Sequence, residues 1–512
     1  MLSMHDMQAR SVSVSRSVSE EKISFLSLCL PGITWIYLLF NLGLAILFLH
    51  NDFQEESVVF VIGISVAIQS ILLLRIFSRH FNNNAYNALF FYLVSFFLVY
   101  FQMPLTHIFD GEISPVYLKH LAYETIYPAA VYAFISHTVF CMAYLGCASR
   151  RPFSQVRQRL MHDFSLLSAT RLKTVITILS CIDLVIFAFF LIAAGPELYL
   201  HFRYYDGMYQ HAFAAMVFYS LHSQLQTVII SLLAVHVCTI RVENVKEVLC
   251  HYSLLGVYFL FTSIFFLLNG DRGAYLEVFC SLAAIFFLFV KAISYKKIFL
   301  LFLIVIPIFF YIGRNRNGNS SDFSLWEFSM ENIPTMDLAG QFPLWTRVLD
   351  IFPQNLPYRN GQHTFHDIKK LVPGLSTLLL MGEETKDATE VSSGALMTEI
   401  LLNNQYGAGT VSLADPYIDF GLKGIIVFSL IVGVIFGLCM KICVRSIWGS
   451  VFFVHSSVFL CYVAIYLCRS SLISHLRVLM FSGIIVCFLI KLFCMKKRRV
   501  RVTDLSRNEF FR

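Results

Sequence analysis

Five arginine-bearing segments stand where long apolar runs end. NGDRGAYLE (269–277) places Arg272 in a very short turn, and IGRNRNGNSS (312–321) places Arg314 and Arg316 where another run stops. HFRYYDGMY (201–209) sets Arg203 beside Tyr204, Tyr205 and Asp206. YRNGQHTFHDIKK (358–370) supplies Tyr358, Arg359, His363 and His366, and CRSSLISHLRV (468–478) supplies Arg469 and, two helical turns on, Arg477. A guanidinium is always charged and presents a fixed fork that matches phosphate oxygens two at a time. Tyrosine and histidine beside it suit sugars, which stack on aromatic faces and hydrogen-bond to polar tips. The chemistry implied is an anion cradle for a diphosphate carrying a glycan. The bland alternative is that each arginine snorkels or pairs with a nearby acid such as Asp206 or Asp271. Five sites on one face favour the cradle.

A proton acceptor is less obvious. His363 and His366 are three apart, so one helical face can show both. Asp415 is the third candidate. No third ligand completes a metal site with the two histidines, and the 13 cysteines lie within or beside apolar runs as packing residues. There is no G-x-x-x-x-G-K-[ST] loop and no H-E-x-x-H, and YGAGTVS (406–412) lacks the third glycine of a dinucleotide site. Neither cofactor nor metal is expected, so a substrate must arrive already activated.

Composition dictates what positions these residues. Apolar residues make up 57% of the 512 and charged residues only 14%, against about 45–50% and about 25% in soluble domains. Mean hydropathy is +0.69. Charge this sparse cannot cover a water-facing surface, and the runs are long and continuous, so the expected fold is an all-α, polytopic transmembrane helix bundle. About twelve spans are expected, at roughly 24–48, 57–76, 86–104, 126–148, 173–194, 212–238, 250–269, 275–292, 296–313, 417–440, 449–468 and 472–495. One large loop, 314–416, is expected to form a layer of short helices on the outer face. The organisation is thus a tail at 1–23, nine helices in 24–313, the loop at 314–416, three helices in 417–495 and a basic tail at 496–512.

Most of the 39 Lys and Arg residues fall in alternate gaps and in the two tails; the short gaps opposite hold only Lys119, Arg203, Arg272 and Arg469. By the positive-inside rule both termini are cytoplasmic and the arginine segments face the other side. The net charge of +7 therefore reports topology, and nucleic acid is not an expected partner. Residues 153–167 read as an amphipathic helix lying on the anionic inner leaflet.

The turn Gly270-x-Arg272-Gly273, the Arg314-x-Arg316 exit, the loop PQNLPYRNGQHTF (353–365) and the segment SLADPYIDFGLKGIIVFSLIVG (412–433) together resemble the Wzy-type O-antigen or oligosaccharide repeat-unit polymerases. The resemblance covers roughly 200–480. It implies a membrane glycosyltransferase of the bacterial inner membrane, with its active site facing the periplasm. Such an enzyme moves a growing glycan from undecaprenyl diphosphate onto a new lipid-linked repeat unit during lipopolysaccharide synthesis. Its partners would be these lipid-linked glycans, membrane lipids and a chain-length regulator. Arg272, Arg314 and Arg316 would meet the departing diphosphate, with His363 or Asp415 as base. Arg203, Tyr204, Tyr358, Arg359, His366, Arg469 and Arg477 would hold substrate. An O-antigen ligase shares this architecture. A lipid-linked-oligosaccharide flippase is disfavoured because charge inside the spans is scarce: Asp183, and Lys423 and Arg477 near span ends.

Overall fold

The computed structural model describes residues 25–50, 56–78, 81, 83–109, 121–148, 153–195, 213–240, 245–268, 272–301, 341–371, 396, 410–439 and 446–496. The helices are α1 (Phe25–His50), α2 (Glu56–Phe77), α3 (Ala88–Tyr100), α4 (Gln102–Ile108), α5 (Ile126–Cys147), α6 (Phe153–Phe164), α7 (Ala169–Ala194), α8 (Phe213–Ile240), α9 (Val245–Leu268), α10 (Arg272–Ala284), α11 (Phe342–Ile351), α12 (Gln362–Leu371), α13 (Ala414–Cys439), α14 (Ile447–Tyr466) and α15 (Leu472–Leu489). Wider π turns extend α10 to Val290 and α15 to Cys494. Among the described residues there is no strand, only an isolated bridge between Leu167 and Met495.

Nine helices among the described residues are long and apolar enough to cross a membrane, or ten if α3 and α4 form one broken span. α9 adds a shorter apolar stretch, Leu255–Phe266. The protein is an all-α, multi-pass membrane protein. The span expected at 86–104 bends by 45° between α3 and α4. Pro104 explains the break: it has no N–H for the carbonyl of Tyr100, and its ring crowds that carbonyl. The span expected at 296–313 is described only over 296–301. Residues 1–23 and 497–512 and most of the large loop lie outside the described residues.

Helix ends sort into two sets. At one end Ser168 N–H donates to Cys494 O (2.8 Å), Ala85 N–H donates to Ile293 O (2.9 Å) and Ser450 Oγ donates to Asp163 Oδ2 (2.5 Å). At the other, Tyr100 Oη meets Ser412 Oγ (2.9 Å), Thr125 Oγ1 donates to Thr346 O (2.8 Å) and Ser412 N–H donates to Cys468 O (3.3 Å). These sets agree with the alternation of sides that consecutive spans impose. The first set carries the basic gaps; the second carries 358–370 and Arg469.

In the most apolar stretch of α14, 83% of residues are buried, against 22% in α7. α14 is thus the centre of the bundle and α7 its rim, where Ile178, Val185 and Ile192 face outward. Lipid covers such a surface at no cost, since acyl chains are as apolar as these side chains. α5 and α13 form a close seam. A Cβ at Gly433 would stand 2.7 Å from both Ala143 Cβ and Phe140 O, and Ser136 Oγ meets Ser429 Oγ at 2.7 Å. Small residues at such a crossing let backbones approach, which is how membrane helices associate. At the rim, α7, α8 and α9 share a separate apolar cluster of Phe187, Phe190, Ala194, Ala215 and Phe266. α6 differs from the expected surface helix. Val156, Leu160 and Phe164 are buried, and α6 packs on α8 and α14, so its apolar face is spent on protein and not on lipid.

Candidate functional site

The end of the bundle that carries Arg359 and Arg469 is built on α13. That helix breaks at Gly421, where φ is +61°. A Cβ there would also stand 2.9 Å from Tyr358 Oη, so glycine is required twice over. The short first part of α13 then lies across the start of the long part. A Cβ at Gly424 would fall 1.9 Å from Pro416 O.

Loop residues 358–361 run beside this break. Arg359 N–H donates to Ile418 O (2.9 Å) and Asn360 N–H to Asp419 O (3.0 Å). Gly361, at φ +90°, leaves room for the Phe420 ring, 2.9 Å from where its Cβ would be. The chain then turns into α12, and Asp419 closes its N-terminus. Its carboxylate accepts from His363 N–H (3.2 Å), Thr364 N–H (2.7 Å) and Thr364 Oγ1 (2.5 Å). A negative charge at a helix N-terminus satisfies orphan amides and suits the helix dipole. Asp419 is fully buried, which is tolerable because its acceptor sites are used.

An aromatic group supports this junction. Tyr417 sits among the rings of Tyr132, Trp345 and Tyr358, at centroid distances of 5.6, 5.5 and 5.8 Å. Its hydroxyl donates to Phe352 O (3.2 Å), and Trp345 Nε1 donates to Ala129 O (3.1 Å), tying α11 to α5. On its other side α12 packs against α15. Before α15, Arg469 lies 5.6 Å from the centre of the Tyr466 ring, and Ser470 Oγ meets His475 Nε2 at 2.5 Å.

The structure therefore gathers Tyr358, Arg359 and His363 at the start of α12, and α12 packs against α15, which carries the half-buried Arg477 and follows Arg469. Arg359 Nε is buried and makes no hydrogen bond among the described residues. Among the described residues the one ion pair of an arginine with a carboxylate is Arg347–Asp350 (3.1 Å). Snorkelling onto an acid thus does not account for Arg359, Arg469 or Arg477 within the described residues. Asp415 is partly committed: Thr410 Oγ1 donates to its Oδ1 at 2.7 Å, shaping the turn into α13. Arg272 is the first residue of α10, and His366 lies within α12; their side chains, and Arg203, Tyr204, Arg314 and Arg316 altogether, lie outside the described residues. Among the described residues no group of three metal-ligating side chains occurs.

Two polar groups escape a reading of the sequence. Asp419 looks like one letter of a pattern until its partners, 55 and 56 residues away, are seen. Asp183 is visible as a lone charge, but its partner His222 is 39 residues on. An acid in an apolar run was the available signal in both cases.

These features define a polytopic helical membrane protein with arginine, tyrosine and histidine gathered at one end of the bundle. The chain belongs to a family of membrane polymerases: the model of the O-antigen polysaccharide polymerase Wzy family matches residues 33–498. No curated protein and no solved structure matches the chain.

Proposed function

We propose that this protein polymerises undecaprenyl-diphosphate-linked repeat units into O-antigen or a similar polysaccharide at the periplasmic face of the inner membrane. Both termini would lie in the cytoplasm, as the basic gaps and tails demand. The observation that carries the reading beyond family membership is the buried, unpaired Nε of Arg359, held beside Tyr358 and His363 at the end opposite the basic gaps. A buried donor without a partner in the free protein asks for an anionic or hydroxylated ligand.

In this reading Arg272, Arg314 and Arg316 stabilise charge growing on the departing diphosphate, where preorganised donors have most effect. Arg203, Arg359, Arg469 and Arg477 hold the second diphosphate or the glycan, with Tyr204, Tyr358 and His366 beside sugar. Asp419 orients His363 by fixing the start of α12. A chain-length regulator would act from outside this site.

Deletion of the gene in its host, with surface polysaccharide length read on a gel, tests the reading. Loss of the ladder with one repeat still attached is expected. Loss of every repeat would point to ligation or flipping instead. Arg272→Ala, Arg314→Ala and Arg359→Ala should each remove long chains at unchanged protein level, and Arg272→Lys should also fail, since a point charge does not replace the fork. Ordinary ladders from all of them would sink the cradle.

A further inference from the structure

A second polar site lies within the bilayer depth, among α7, α8, α9 and α10. Asp183 and His222 are both fully buried, and His222 Nδ1 stands 2.9 Å from Asp183 Oδ1. The other carboxylate oxygen, Oδ2, accepts from Tyr258 Oη. With both carboxylate oxygens accepting, Nδ1 carries the imidazole proton and Nε2 is left as an acceptor. Nε2 is buried and has no hydrogen-bond partner among the described residues. Phe187 and Phe266 hold the ring, at centroid distances of 4.8 and 5.7 Å.

His222 lines a cavity with Tyr219, Ser223, Gln226, Thr227 and Glu277. Thr227 Oγ1 donates to Glu277 Oε1 (2.9 Å) on one wall, and Gln226 Nε2 donates to Thr262 Oγ1 (3.1 Å) behind it. The space open to the centre of a water-sized sphere is about 10 Å³, room for about one water and too little for a sugar ring. Ala274 also lines it, two residues beyond Arg272, so the cavity begins within a turn of the α10 start. His222 is nine residues into α8, roughly 13 Å from its outer end at 1.5 Å per residue. The cavity thus lies beside the start of α10, next to the rim on which the proposed diphosphate site depends. Ionisable groups at this depth are costly and are kept where they pair or act. A clamp between helices would need only the Asp183–His222 and Asp183–Tyr258 bonds; it would not need His222, with its buried Nε2 unpartnered among the described residues, to line a water-sized space.

We propose that Asp183 and His222 form the proton-accepting pair of the transfer reaction, reached through a single water in this cavity. The inference rests on the polymerase reading. As the acceptor hydroxyl oxygen bonds to the anomeric carbon of the donor glycan, the bond from that carbon to the diphosphate breaks and its electron pair leaves on the diphosphate. The hydroxyl proton passes to the water, and a proton of that water passes to His222 Nε2. Asp183 is a positioning residue: it holds Nδ1–H, turns Nε2 to the cavity and balances the imidazolium that forms. The titratable groups around the pair are Tyr258 on α9, Glu277 on α10 and Tyr219 on α8 itself; His455 of α14 lies further in, where its Nδ1 meets Ser231 Oγ at 2.7 Å. The route supplies a proton acceptor besides Asp415, which Thr410 holds.

Membrane vesicles from the host, holding the full chain and the host's own lipid-linked repeat unit, give the test: chain-extension rate against pH. The wild-type rate should rise with pH to a plateau, since only neutral imidazole accepts a proton. His222→Gln should lower the plateau by about 100-fold, within the range of general-base effects, and abolish the rise. Asp183→Asn should lower the rate and displace the rise along the pH axis, and it decides the question if His222→Gln does not accumulate. A slow His222→Gln or Asp183→Asn enzyme that keeps the wild-type pH profile would reduce the pair to a structural clamp and overturn the proposal. So would a near-normal rate in either variant, with the polymerase reading left standing. Wild-type vesicles that attach but never extend glycan would overturn the polymerase reading itself.

Discussion

Asp419 and Asp183 are both completely buried carboxylates, yet their surroundings assign them opposite work. Asp419 spends its oxygens on two backbone amides and one hydroxyl of a single short segment, His363–Thr364. Amides neither gain nor lose protons, so this node fixes a helix and does nothing more. Asp183 instead binds side chains from two other helices, and one of them, His222, has a second ring nitrogen without a partner among the described residues. What a buried acid does is thus set by whether its donor is the end of a chain of groups or the middle of one.

Three substitutions test that contrast. The largest effect is expected at the outer node. Asp419→Ala leaves three donors without their acceptor, each charge-assisted bond being worth about 1.5–3 kcal/mol. α12 should come loose from the break in α13, with long glycan chains lost and residues 362–371 cut by protease before the rest; an uncut, active variant would mean that Asp419 is not the cap that holds the helix. Gly421→Ala comes next. It forces a side chain into the left-handed region, at about 1–3 kcal/mol, and pushes Tyr358 out of its place. Chain extension should fall while the pH dependence of what remains is unchanged, because the intramembrane pair is untouched. The smallest effect is expected from Tyr258→Phe. Membrane hydrogen bonds average about 0.6 kcal/mol, so melting in detergent should change little, and a large loss of stability would recast the Asp183 node as structural.

Most of the fold was legible because lipid imposes a simple rule: apolar runs of span length must be helices, and basic residues mark their alternate gaps. The break at Phe101 was legible in principle through Pro104, but the apolar count runs straight across it. α6 was misjudged for a physical reason. A helix with one apolar face reads the same whether that face meets acyl chains or α8 and α14. Of the candidate site, Tyr358, Arg359 and His363 do gather, because they share one short segment that pairs with Ile418 and Asp419. The links from Asp419 to Thr364 and from Asp183 to Tyr258 span 55 and 75 residues, and nothing local in the chain announces them.

The seam between α5 and α13 has a consequence in time. Ser136 and Ser429 are 293 positions apart. At about 5–20 residues per second of synthesis, α5 is made some fifteen seconds to a minute before the helix it fits. Through that interval the groove beside Ala143 meets lipid or a neighbour that must later be displaced. Most of the spans are therefore inserted well before α5 meets the helix it packs against. A ribosome stalled short of residue 414 leaves a chain with most of its membrane helices in place and without the partner that locks α5.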